Sequence, residues 1–106
     1  MAIVKVIPSL KETIESSDEQ TKKLFDKQKE FMEISPFYNS LGRTKLENIT
    51  DKYGNELFEI RLDRKRRIVC VEKEINKEYI WLKICSHDEI KRKSIIFADG
   101  EYNLLD

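Results

Sequence analysis

Residues Glu56–Asp88 read ELFEIRLDRKRRIVCVEKEINKEYIWLKICSHD, and this stretch decides the fold. It contains three successive apolar, β-rich runs, Leu57–Leu62, Arg67–Lys73 and Tyr79–Cys85, joined by short polar connections. Connections that short join antiparallel neighbours, so the runs predict a three-strand meander. Alternation places Phe58, Ile60 and Leu62 on one face of the first strand and Glu59 and Arg61 on the other. In the third strand Ile80, Leu82 and Ile84 share a face, opposite Tyr79, Trp81, Lys83, Cys85 and, by continuation, His87. An odd number of turn residues pairs Arg61 directly with Arg67 on the open face. An even number would turn Arg67 toward the core without a partner, which is costly. The first arrangement is therefore expected, with an anionic side chain or ligand between the two like charges.

Upstream, Ala2–Ile7 forms a short strand that Pro8 stops. Ser9, with Glu12 three residues on, has the capping-box spacing for a short helix carrying Leu10 and Ile14. Ser17 and Gln20 repeat the device ahead of a longer helix. There Leu24, Phe25, Gln28, Phe31 and Met32 make one stripe at helical period, and the remaining face is solvated charge of mixed sign. Ser35-Pro36 ends that helix, because a residue before proline is driven out of the α region. Phe37–Asn55 shows no sustained period and holds Gly42 and Gly54; a loop with one short turn is expected, containing Arg43, Lys45 and Glu47. His87–Lys93 forms a last helical turn with acids leading and bases trailing. The expected fold class is α+β: one domain over residues 1–106, a small antiparallel sheet of the N-terminal strand and the meander, packed against two N-terminal helices. Residues 94–106 are a C-terminal extension.

Hydrophobic residues make up 40% of the chain and charged residues 38%, too apolar for disorder and too charged for a membrane span. Lys5 and Pro8 interrupt any signal-peptide run, so a cytoplasmic location is expected. Cys70 and Cys85 lack ligand spacing and read as reduced, buried thiols. The 20 basic and 20 acidic residues cancel, but their distribution does not. RLDRKRR, residues 61–67, holds Arg61, Arg64, Lys65, Arg66 and Arg67 against Asp63 alone. Such a patch can bind a polyanion, because screening confines the relevant field to about 8 Å at physiological salt.

The element order and three short motifs resemble the RelE/ParE superfamily of small toxins from type II toxin–antitoxin systems, in its HigB/YoeB-like branch. The motifs are IRLDRKRRIV (Ile60–Val69), ICSHD (Ile84–Asp88) and SLGRTKL (Ser40–Leu46). The resemblance implies a ribosome-dependent, metal-independent endoribonuclease that cuts mRNA by attack of the ribose 2′-OH on the scissile phosphate. By position, Arg67 would contact that phosphate, Arg61 would assist it or hold the RNA backbone, and His87 would transfer a proton. Guanidinium groups bind phosphate bidentately and stay charged, and histidine is the side-chain type that exchanges protons near neutral pH. Further RNA contacts would come from Arg43, Lys45, Glu47, Arg64, Arg66, Lys83 and Lys91, the last standing where many members carry tyrosine. Trp81 would stack on bases or be covered by the tail or an antitoxin. The resemblance implies a cognate antitoxin, the ribosome and mRNA as partners, with no cofactor, metal, small-molecule ligand or membrane. Two alternatives stay open: a ParE-like gyrase-binding inhibitor, and a non-catalytic binding module of the same fold.

Overall fold

The computed structural model describes residues 1–50, 55–75 and 77–91, the side chains of residues 47–50 and 91 excepted. The elements run β1 (Ile3–Val6), α1 (Pro8–Glu15), α2 (Glu19–Ile34), a 3-10 turn (Asn39–Leu41), β2 (Thr44–Thr50), β3 (Glu56–Arg61), β4 (Arg66–Glu74), β5 (Glu78–Ser86) and α3 (His87–Lys91). The strands form one sheet in the order β1-β5-β4-β3-β2. β3, β4 and β5 are the expected antiparallel meander, while β1 pairs with β5 in parallel, Val4 opposite Tyr79 and Val6 opposite Trp81. The fold is α+β, as expected, but the sheet is mixed rather than antiparallel, because β1 joins it in parallel. The two N-terminal helices carry the chain from β1 at one edge of the sheet to β2 at the other.

Local chemistry sets the helix starts, in two places differently from expectation. Pro8 does not merely stop β1; it opens α1, where its fixed φ suits the first turn and its missing N–H is not needed. Ser9 therefore lies inside α1, whose N-cap residue, Ile7, makes no side-chain cap. Asp18, not Ser17, caps α2: its Oδ1 accepts the Thr21 N–H at 2.7 Å, and Ser17 instead donates its hydroxyl to Thr13 O. α3 begins with a reciprocal capping box. The Glu89 N–H donates to Ser86 Oγ and the Ser86 N–H to Glu89 Oε1, both at 3.1 Å.

Two further expectations fail. Residues 44–50 are a strand on the edge of the sheet rather than loop. Lys45 pairs with Phe58 and Thr50 with Glu56, with a register shift between them. The second failure concerns faces. Val69 pairs with Lys83 but Cys70 pairs with Trp81, so Leu82 is an extra residue, a β-bulge in β5. The bulge resets the alternation. Tyr79 and Trp81 share the helix-side face with Ile84, and Ile80 lies on the opposite face with Val71, while Lys83 and Cys85 keep the orientation expected for them.

Trp81 consequently packs beneath α2. Its Nε1 donates toward Met32 Sδ at 3.2 Å, and its ring stands edge-on to Phe25 with centroids 5.1 Å apart. The far face of the sheet, expected to be open, is buried over its centre: Leu57, Val69, Val71 and Ile80 are each at most 1% exposed. Strands buried on both faces explain why β4 reads as a nearly continuous apolar run, IVCV, over Ile68–Val71. Among the described residues, no helix is long and apolar enough to cross a membrane. The expected tail, residues 94–106, lies outside the described residues.

Replacing Trp81 by Ala should destabilise the fold by about 3–5 kcal/mol, because it empties the contact between α2 and the sheet. Ile34→Ala, at a side chain 60% exposed, should stay within about 0.5 kcal/mol. Urea unfolding midpoints of the two variants compare them directly.

Candidate functional site

The β3–β4 turn brings the sequence-predicted residues to one end of the sheet. Arg61, the last residue of β3, pairs with Arg67 near the start of β4, and Arg67 pairs with Cys85 near the end of β5. Five residues separate the two arginines, so the odd parity holds and both lie on the same face. Directly opposed residues in an antiparallel pair stand about 4.5–5.5 Å apart at Cα. His87 is exposed as the first residue of α3, and its backbone N–H donates to Lys65 O in the turn at 3.2 Å. The Ser86–Glu89 capping box starts α3 immediately after β5 and so places His87 beside the turn.

Asp63 builds that turn. Its Oδ1 accepts the backbone N–H groups of Lys65 at 2.9 Å and Arg66 at 2.7 Å, an Asx-type arrangement. Its Oδ2 pairs with the Arg66 guanidinium, at 2.9 Å from Nε and 2.7 Å from Nη2. Partial burial would raise the Asp63 carboxyl, but the hydrogen bonds and charge of Arg66 and the Lys65 N–H outweigh it, and the group titrates below its ordinary 3.8. Arg66 also reaches Thr21 Oγ1 at 3.1 Å, tying the turn to the first residues of α2. From the same helix Gln28, buried, donates to Arg61 O and Ser40 O. The polar member of the α2 stripe thus fixes the end of β3.

Arg67 is half-buried and serves the turn as well. Its Nη1 donates to Asp63 O at 2.7 Å, Arg66 O at 3.1 Å and Arg64 O at 3.3 Å. Its Nε lies 4.0 Å from Oε1 of Glu59, an acid two residues before Arg61 on the same face rather than between the two arginines. Arg61 is exposed and lies across Gly42, where an added Cβ would meet Arg61 Nε at 3.5 Å. Gly42 ends the 3-10 turn in the left-handed region, φ +59°, which is strained for any other residue. Arg64 is exposed at the tip of the turn.

Several residues expected to touch RNA are placed elsewhere. Arg43 lies on the helix-side face, away from Arg61 and Arg67. Its guanidinium sits 4.2 Å from the Phe58 ring centroid and 4.4 Å from that of Phe37, and Nη1 donates to Tyr79 Oη at 3.0 Å. Tyr79 in turn donates to Glu72. Burial, then the Glu72 hydrogen bond, push the Tyr79 phenol above its ordinary value, with Arg43 opposing. Lys45, on the edge strand, pairs with Glu56 at 3.1 Å and helps line a cleft of about 320 Å³ with Arg43 and Glu72. Trp81 is fully buried and offers no stacking surface. Lys83 is half-buried on the Arg67 face, and Glu47 and Lys91 have side chains outside those described. Beside Arg67, burial and the Glu89 charge push the Cys85 thiol up to about 11, so it is no nucleophile at neutral pH. Cys70 is free and buried, its thiol raised by burial.

Glu59, Asp63 and Gln28 carry structural or electrostatic weight that their sequence positions did not assign to them. For Glu59 the signal was present: an acid two residues before Arg61 shares its face.

Because the folded carboxyl of Asp63 is depressed, it contributes stability above its unfolded value of about 3.9. That contribution is lost as pH falls through the folded value. Asp63→Asn should therefore flatten the acid limb of stability between about pH 5 and pH 2, read as unfolding midpoints against pH.

Comparison with models of protein families, with characterised proteins and with solved structures finds no match to this chain.

Proposed function

We propose that this protein is a cytoplasmic, ribosome-dependent mRNA endonuclease of the RelE/ParE type, the toxin of a toxin–antitoxin pair. The observation that carries the proposal is the direct pairing of Arg61 with Arg67 on one face, with His87 next to the same turn. Guanidinium groups borne by two directly paired residues suit a phosphodiester whose negative charge grows as it is attacked. In that reaction the ribose 2′-oxygen bonds to phosphorus as the P–O5′ bond breaks. The 2′-OH loses its proton and O5′ gains one, leaving a cyclic phosphate and a 5′-hydroxyl. His87, exposed at the start of α3, carries one of these proton transfers. Arg61 and the exposed Arg64 and Lys65 of the turn hold the RNA backbone. The observed order of strand, two helices and meander is the element order on which the resemblance rests.

The half-buried state of Arg67 favours a second reading, a binding module or gyrase-type inhibitor in which the arginine is structural. Arg67→Ala cannot separate the two, since it would also release three turn carbonyls. Arg61→Ala and His87→Ala can, because both side chains are exposed.

In a purified translation system, primer extension should show cuts that require ribosomes and wild-type protein. Each exposed-residue variant should slow cutting by about 10²–10³ while unfolding at the wild-type midpoint. Absence of cuts from folded wild-type protein would replace the enzyme with the binding module.

A further inference from the structure

Three polar or charged residues are buried among the described residues: Thr21, Gln28 and Glu59. Thr21 accepts from Arg66 and Gln28 donates to two carbonyls. Glu59 differs from both. Among the described residues its Oε2 has no hydrogen-bond partner, and Oε1 lies 4.0 Å from Arg67 Nε, beyond hydrogen-bonding distance. A buried carboxylate in that condition opposes folding, and an apolar residue of similar volume would suit the site better. Its stability role is therefore a cost, and its position points to a different role.

Glu59 precedes Arg61 by two residues on the same face and pairs with Val69, two residues past Arg67. It is thus next to both guanidinium-bearing positions. Like charges directly opposed on neighbouring strands repel, and Glu59 is the nearby counter-charge. Of the Arg67 nitrogens, Nη1 is committed to three turn carbonyls and Nε faces Glu59. Nη2 has no hydrogen bond among the described residues.

We infer that Glu59 is a positioning residue for Arg67. Its charge, two positions from each arginine on the shared face, keeps Nε turned inward and allows the paired arginines to stand side by side. Nη2 is then the edge of Arg67 left for a phosphate oxygen. The inference deepens the nuclease reading and rests on it only for the catalytic consequence.

Glu59→Gln, which removes the charge at nearly constant shape, and Glu59→Leu, which removes the polar group, test it with two readouts. The first is the Arg67 Nε–Hε signal in a nitrogen-15 spectrum, identified by its loss in Arg67→Lys. In both variants this signal should shift and exchange with solvent about ten-fold faster, while the backbone amide spectrum is retained. An unchanged Arg67 signal would overturn the inference. So would loss of folding in both variants, because the inference assigns Glu59 a cost to stability.

The second readout is ribosome-dependent cleavage. The maximal rate should fall about ten- to a hundred-fold with the half-saturating ribosome concentration unchanged. Cleavage that falls only in proportion to folded protein would mean a purely structural Glu59. If wild-type protein makes no cuts, the nuclease reading fails, and the Arg67 signal alone decides the role of Glu59.

Discussion

Leu82 is one residue more than the β4–β5 ladder needs, and the rest of the molecule is arranged around that excess. On its N-terminal side the bulge leaves Tyr79 and Trp81 on the helix side. There the indole fills the space under Phe25 and Met32, and the phenol engages Arg43 and Glu72. On its C-terminal side Lys83 and Cys85 face the other way, beside Val69 and Arg67. With strict alternation, the side chains that anchor α2 and those that line the arginine face would have to share a face. A side-chain period of two makes a one-residue shift the smallest change that separates them.

The end of the sheet shows how five basic side chains coexist in seven residues. Asp63 takes Arg66 in a two-point pair, the turn carbonyls take Arg67 Nη1, and Glu59 stands near Arg67 Nε. The charge left facing solvent comes from Arg61, Arg64 and Lys65. A chain of zero formal net charge thus presents a small positive surface, because Asp63 and Glu59 offset only part of the charge of this stretch and the other acids lie outside it. Internal pairing of this kind limits how much a distant polyanion is attracted and leaves recognition to groups in contact.

The meander and the Arg61–Arg67 pairing were legible because both rest on local rules: alternation within a run, and the parity of one turn. β2 was not. Its sequence TKLENIT places Leu46 and Ile49 three apart, which breaks the period of two, and the register shift against β3 is the structural counterpart of that break. The bulge was invisible for the opposite reason. YIWLKIC is apolar at nearly every position, so either face assignment satisfies the pattern, and only the packing of α2 on Trp81 chooses between them. The start of α2 depended on competing caps. Asp18 and Ser17 both have the chemistry, and a carboxylate accepts the N–H at a helix N-terminus more strongly than a neutral hydroxyl.

The same contrast separates the arginines that sequence treated alike. Arg43 and Arg61 each precede or follow an apolar run and each looked available for RNA. Arg43 is followed by an edge strand that carries it across to Phe58 and Tyr79, where stacked rings and a phenol surround its guanidinium. Arg61 ends a central strand where the partner strand β2 has already stopped, over a glycine that offers no side chain to compete for space. What distinguishes a structural arginine from an available one here is the neighbour across the ladder. Aromatic neighbours enclose the first, and Gly42 leaves the second at the surface beside Arg67.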